Sequence, residues 1–370
     1  MKKLLHFSFF LFTFLFLVTE AGIAQVYFNT GNALFRVDDY GTVGVYTIQG
    51  VDTLYQIDRA SILVAGNQNE VLDYWNDVDI QDPTTLVNNP LLSDYEVTGV
   101  YNNAFSGLPP NVIVDQHVYG WNGEGGILLK FNVTNNEASA IPTIVGLDII
   151  QDIDNTYEND VVFYNTNNNI FYQYESSYVG IKILSEATES AIGFLWYDGY
   201  ENSDTSYYSW LTGGINTDTT ITDPNGAVGI MGTGSQQLQP QAVRTVYMAI
   251  AFGNNESNML ATLALVEGHY NDITDVKQTD LNVLAYKLNQ NYPNPFNPST
   301  MISFSIPQRE MVTLDIYNLL GQKVTSLVNK EFDAGDYNVQ FDAGNLAAGT
   351  YFYTLKAGSY LSTKKMMLIK

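Results

Sequence analysis

The chain has 370 residues, 45% hydrophobic and 15% charged, with no cysteine and a formal net charge of −23. That length supports two domains with full cores, while the missing cysteines exclude disulfide bracing and thiol catalysis. So acidic a chain repels phosphate backbones, which argues against nucleic acid as a partner.

The first 24 residues read as a secretory signal. Lys2 and Lys3 form a basic end, Leu4 to Val18 is almost unbroken apolar sequence, and Gly22-Ile23-Ala24 offers small residues at a cleavage position. The apolar run is short for a membrane span, so cleavage before Gln25 is expected. The mature chain is therefore expected to leave the cytoplasm.

From Gln25 to Ala285 six Lys and Arg stand against 32 Asp and Glu, whereas from Tyr286 onward eight stand against six. That asymmetry predicts two modules with separate roles. The body, 25–271, reads as a large β-sandwich. Strands are expected at Tyr27–Val37, Gly41–Ile48, Ala60–Ala65, Ile127–Asn135, Thr143–Ile150, Val179–Leu184, Ala191–Tyr197 and Thr245–Phe252. Ile127–Asn135 alternates, with Leu129, Phe131 and Val133 on one face. Thr245–Phe252 is apolar on both sides and reads as an inner strand. Asn122-Gly123, Asp198-Gly199 and Pro224-Asn225-Gly226 are turn signals. Met259, Leu263, Val266 and Tyr270 recur at helical spacing, with Ser257 as the expected cap and Gly268 as the expected stop. The polar stretch 272–285 reads as a linker.

Residues 286–370 read as a small immunoglobulin-like antiparallel β-sandwich, so the fold class is all-β. The entry "NYPNPFNPST" packs Asn291, Pro293, Asn294, Pro295, Asn297 and Pro298 around Tyr292 and Phe296. Its prolines exclude a helix interior or a central strand. They stiffen a connector that Tyr292 and Phe296 can pin to the domain. Ile302, Phe304 and Ile306, then Val312, Leu314 and Ile316, alternate as strands. Gly321 and Gly349 mark turns. Lys364 and Lys365 make the last strand basic, which serves either docking or protection of a sheet edge.

The motifs "NYPNPFNPST", "ISFSIP", "VTLDIYNLLGQKVTSLV", "AGDYNVQFDAGNLAAGTYFYTLKAG" and "STKKMMLIK" follow one another in this tail. The tail closely resembles the C-terminal (type A) sorting domain of type IX secretion cargo, found in Bacteroidota and related phyla. The resemblance implies export through the Sec translocon, then recognition by the outer-membrane type IX translocon. It also implies tail cleavage, followed by release or attachment to surface lipopolysaccharide. The body stretch from Val145 to Leu184 loosely resembles β-rich ectodomains that precede this tag; those domains mostly lack assigned activities, so the resemblance carries little about function.

No HExxH or GxSxG motif occurs. Asp115 and His117, two apart on a candidate strand, could share a face, but a serine partner is not indicated. Asp148, Asp152, Asp154 and Asp160 crowd a stretch that also holds Asn155 and Glu158, and such oxygens suit calcium as a cofactor. The spacing is not that of an EF-hand, because Tyr157 and Phe163 stand where Gly and Glu are needed. Trp121 and Trp210, beside glycines, are candidate loop-borne platforms for glycans, with Trp75 and Trp196 further options. Core packing is the commoner role of such residues in a sandwich. The expected body is a non-catalytic structural, adhesive or glycan-binding module. The alternative is a carbohydrate-active or other hydrolytic enzyme with the same tag.

Overall fold

The computed structural model describes residues 25–49, 52–275, 286–358 and 360–369. The expected signal at 1–24 and most of the expected linker lie outside the described residues. The chain divides into two compact units, Met1–Tyr270 and Asn271–Lys370.

The first unit is built on two nine-stranded antiparallel sheets. One runs in the order Gln25–Asn29, Leu34–Asp38, Val43–Gln49, Asp52–Asn67, Ile141–Gln151, Ala227–Thr233, Thr188–Leu195, with two short strands beside this path. The other runs Thr220–Ile221, Val161–Asn165, Ile170–Tyr174, Tyr178–Ile183, Val243–Gly253, Gly126–Asn135, Val112–Gly120, Tyr95–Asn102, Asp79–Leu86. Alternate residues of both sheets meet in one core. Ile62, Leu147 and Met231 come from the first sheet, and Leu129, Phe131, Met248 and Ile250 from the second. Period-two alternation places these side chains on the shared inner face.

Helix α1 (Asp204–Thr212) lies on the outer face of the first sheet. Ser203 caps it, its side chain accepting the Ser206 amide. Tyr207 and Leu211 drop onto Leu63, Ile144, Val228 and Ile230. Gly146 and Gly232 are direct cross-strand partners. A Cβ on either would meet Leu211 at 2.5 or 2.7 Å, so this glycine pair clears the floor for the helix.

Helix α2 (Glu256–Asp275) covers the outer face of the second sheet. Met259 reaches Gly180, where a Cβ would lie 2.3 Å from its sulfur, and Lys182 pairs with Glu267 at 2.6 Å. Met259 also lies against Gly253, and Tyr247 packs edge-on against Tyr270, so Val243–Gly253 is covered on both sides, as its two apolar faces predicted. Met259, Leu263 and Val266 are buried as expected. The helix bounds differ from the sequence reading. Asn255, not Ser257, accepts the Asn258 amide at the start. Gly268 does not stop the helix, which continues to Asp275. Nothing lies near a Cβ at Gly268, so its cost there is the propensity penalty alone. The linker expected from Asp272 is helical through Asp275.

The segment Tyr27–Val37, read as one strand, is a hairpin. Thr30 donates its amide to Ala33 O, and Gly31 takes φ +97° at the turn. Asp79–Leu86 and Tyr95–Asn102 were not read from the sequence, nor was α1.

The second unit has a three-stranded sheet (Lys287–Leu288, Ser299–Ile306, Gly335–Asp342) and a four-stranded one (Lys323–Phe332, Glu310–Asn318, Gly349–Ala357, Tyr360–Leu368). Phe296, Ile302, Phe304, Leu314, Ile316 and Tyr353 share its core. Among the described residues, no helix is long and apolar enough to cross a membrane.

Gly146→Ala is expected to destabilise the body by about 1–3 kcal/mol, because the new methyl meets both Leu211 and the Met231 carbonyl. Urea denaturation of the two proteins measures this.

Candidate functional site

The connector before the tail is bolted at two points. Asn291 is buried; its amide donates to the Tyr353 hydroxyl at 2.8 Å, and its side chain donates to Pro293 O and Thr300 Oγ1. Phe296 fills the tail core. Its amide donates to Met367 O and its carbonyl accepts from the Ile369 amide, both at 2.9 Å. Asn294 Oδ1 accepts the Met367 amide. The connector is therefore stitched to the last strand. Tyr292 departs from the expectation. Its side chain is 66% exposed, and only its backbone is paired, with Met301. The alternation of Thr300 and Ile302 into the domain leaves the paired Tyr292 side chain pointing outward. Pro293, Pro295, Asn297 and Pro298 lie in the same connector. Gly321 adopts φ +73° in a turn where Asn318 Oδ1 accepts the Leu320 and Gln322 amides. Gly349 opens its strand at φ +150°. Lys364 and Lys365 stand on Tyr360–Leu368, at an edge of the four-stranded sheet.

The body gathers its aromatics around a buried ion pair. Asp148 and Arg59 project from neighbouring strands on the outer face of the first sheet. Arg59 Nη2 lies 2.6 Å from Asp148 Oδ2, which also accepts the Tyr200 hydroxyl at 2.8 Å and the Tyr207 hydroxyl at 3.4 Å. Burial pushes the Asp148 carboxyl above its ordinary value, and Arg59 and the two hydroxyls oppose that shift. Arg59 also sits over the Tyr74 ring, 4.1 Å from its centroid.

Around this pair stand Phe194, Trp196, Tyr200 and Trp210, all half-buried and packed against the cluster beneath α1. The Trp210 ring lies parallel to Tyr200 at 5.9 Å and 4.9 Å from Phe194, while Trp196 lies 4.6 Å from Tyr200. Tyr74 leads to Trp75, 63% exposed. Asn76 donates to Asn202 O, joining the loop of Trp75 to the segment leading into α1. The result is an aromatic strip in two parts, Tyr74 with Trp75 and Phe194 with Trp196, Tyr200 and Trp210, joined through Arg59, which bonds both Tyr74 and Tyr200.

The two tryptophans singled out from sequence part company here. Trp210 is in the strip, but on helix α1 rather than a loop, because Gly213-Gly214 ends the helix. Trp121 is no platform. It is buried and stacks on His269 at 3.8 Å.

The four candidate calcium ligands do not converge. Asp148 lies on the strand Ile141–Gln151, not in the acidic loop, and turns to Arg59. Asp154 accepts from Gln56 Nε2 at 2.7 Å and from the Ser176 hydroxyl. Asp160 Oδ2 accepts the Ile153 amide at 3.3 Å. Burial pushes the Asp152 carboxyl up to about 6 and the Asp160 carboxyl up to about 7. Among the described residues, the group whose carboxylates approach within 4.8 Å of one another is Asp73, Asp77 and Asp204. Asp73 already accepts the Trp75 and Asn76 amides, and Asp77 accepts the Asp73 amide.

His117 does not form a triad. Nδ1 lies 2.8 Å from Glu96 Oε1 and Nε2 lies 3.4 Å from Asp115 Oδ1, so carboxylates occupy both ring nitrogens. Burial pulls the imidazole pKa down, but the hydrogen bonds to Asp115 and Glu96 outweigh it and the net shift is upward.

A connector locked onto a seven-stranded sandwich defines a self-contained terminal module. Residues 290–370 match the model of the secretion system C-terminal sorting domain. The tail is such a domain, and it marks the chain as type IX secretion cargo, exported to the cell surface or the extracellular space. No curated protein matches the sequence. Among solved structures, a bacterial glucoamylase complexed with acarbose is similar with a TM-score of 0.50 at 11% identity, over 66% of this chain and 34% of that one. Slr1438 from Synechocystis sp. PCC 6803 gives a TM-score of 0.41 at 9% identity, over 66% and 100% of the chains. A putative aldose 1-epimerase from Escherichia coli K12 gives 0.37 at 9% identity, over 63% and 99%. Of these three, the glucoamylase alone bears on fold, and this chain spans about a third of its length.

The raised His117 value sets a pH dependence. A histidine whose folded pKa exceeds its unfolded value stabilises fully below about pH 6.5, and that stability is lost as pH rises through the folded value. Wild type is therefore expected to lose stability from pH 6.5 upward that His117→Gln does not lose. Urea melts from about pH 6 to pH 9 measure the difference in slope.

Proposed function

We propose that the body is a non-catalytic carbohydrate-binding module displayed or released by the type IX route. The aromatic strip around Arg59 and Asp148 carries this reading. Pyranose rings present flat C–H faces, and tyrosine and tryptophan offer large rigid surfaces at low entropic cost. Tyr200 is fixed by its hydrogen bond to Asp148, so its ring is set before a ligand arrives. A strip of several rings suits an extended polysaccharide better than a single sugar. The fold likeness to the glucoamylase assigns no activity to this chain.

On the same proposal, the N-terminal segment directs Sec export and is removed. The sorting domain then engages the outer-membrane translocon, and its cleavage leads to release or to attachment to lipopolysaccharide. The locked connector supports that role, because a preorganised entry presents the domain in one form.

Two outcomes are expected. Deleting residues 286–370 retains the body inside the cell envelope, read by fractionation and immunoblotting; equal export without the tail would overturn the route. Trp75→Ala with Trp196→Ala weakens retention on insoluble polysaccharides by about tenfold, or roughly 1.4 kcal/mol, in pull-down assays. Unchanged retention, or no retention by the wild type on any polysaccharide tried, would overturn the carbohydrate reading.

A further inference from the structure

A second concave site lies at one end of the body sandwich, against α2. It is a half-open concavity of about 800 Å³, within the range of small-molecule pockets. Its lining joins the Gly31 turn, the end of the strand Val43–Gln49, the loop at Glu124, the turn at Asp154, Ser176-Ser177 and one face of α2. That α2 face is Asn258, Ala261, Thr262 and Leu265, the helical neighbours that Met259, Leu263 and Val266 leave free when they pack on the sheet.

Two carboxylates line this cavity, and each is held from behind. His269 Nε2 lies 3.0 and 3.2 Å from the Glu124 oxygens, and the His269 ring is backed by Trp121. Asp154 takes φ +57° and is held by Gln56 and Ser176, while its neighbour Asn155, at φ +64°, accepts the Tyr55 amide at 2.7 Å. Two consecutive left-handed non-glycine residues cost free energy, which these hydrogen bonds offset. Gln56 is itself buried, donating to Thr47 and accepting from Ser177. The carboxylates are thus parts of rigid walls rather than mobile surface acids.

The remaining polar lining is made of amides and hydroxyls, and none of the described lining residues is lysine or arginine. Anionic ligands meet repulsion there, with no cation to offset it. Amides and hydroxyls both donate and accept, as the vicinal hydroxyls of a sugar require, and a fixed carboxylate accepts from two neighbouring hydroxyls. Phe252 and Leu265 supply apolar contact for the ring.

The geometry points to a binding site for a small neutral saccharide, of one or two rings, in the cavity between Glu124, Asp154 and α2. It is separate from the aromatic strip and stands whether or not the strip holds polysaccharide.

The test uses the intact mature chain with glucose, galactose, mannose, xylose, maltose and cellobiose, each titrated in a calorimeter and in thermal melts. At about ten times its dissociation constant, a bound sugar raises the melting temperature by about 3–6 °C. Ala261→Trp and Asn258→Trp, both at exposed positions on α2, fill the cavity and remove that shift. Trp75→Ala leaves it unchanged, which separates this site from the strip. If none of the six sugars binds, if both tryptophan variants still bind, or if calcium alone gives the shift, the proposal is overturned.

Discussion

A chain without cysteine must hold its two nine-stranded sheets together without covalent bracing, and that constraint orders the body. The inner faces are mainly apolar, and the buried Arg244 of the second sheet bonds Thr143 and Thr233 of the first across the core. Each outer face then has its own cover. Helix α1 closes one and helix α2 the other, and both depend on bare backbone beneath them, at Gly146 and Gly232 for α1 and at Gly180 for α2. The functional surfaces follow from these covers. The aromatic strip forms where α1 ends its coverage, and the polar cavity forms where α2 overhangs the sandwich end.

The Arg59–Asp148 pair shows how a buried charge can organise its surroundings. Its net contribution to stability is small by comparison with the cost of breaking it. Its structural effect is orientation. One carboxylate oxygen collects a guanidinium and two phenol hydroxyls, and thereby sets the rings of Tyr200 and Tyr207.

Much of the fold was readable because strands with one buried face alternate strictly. Residues 129–135 of Gly126–Asn135 and residues 312–316 of Glu310–Asn318 bury every second residue, and both strands were found within a residue or two. Asp79–Leu86 was missed because it is an edge strand carrying Pro83 and little apolar sequence. Helix α1 was missed because its aromatic residues beside glycines resembled a loop; Ser203 and the spacing of Tyr207 and Leu211 were the available signals. The site was harder to read. Arg59 and Asp148 are 89 positions apart and meet only through strand pairing. Asp148 looked like part of the acidic loop because crowding in sequence was taken for crowding in space, whereas a strand carried it away. The tail was the most legible part, since its motifs and alternation point the same way.

The stitch between Phe296 and the residues flanking Leu368 joins the first turn of the sorting domain to its final strand. Closure of that module therefore couples its entry segment to the strand Tyr360–Leu368. Loss of that strand would leave the entry segment with no backbone to rest on, so the two ends of the domain fold as one unit.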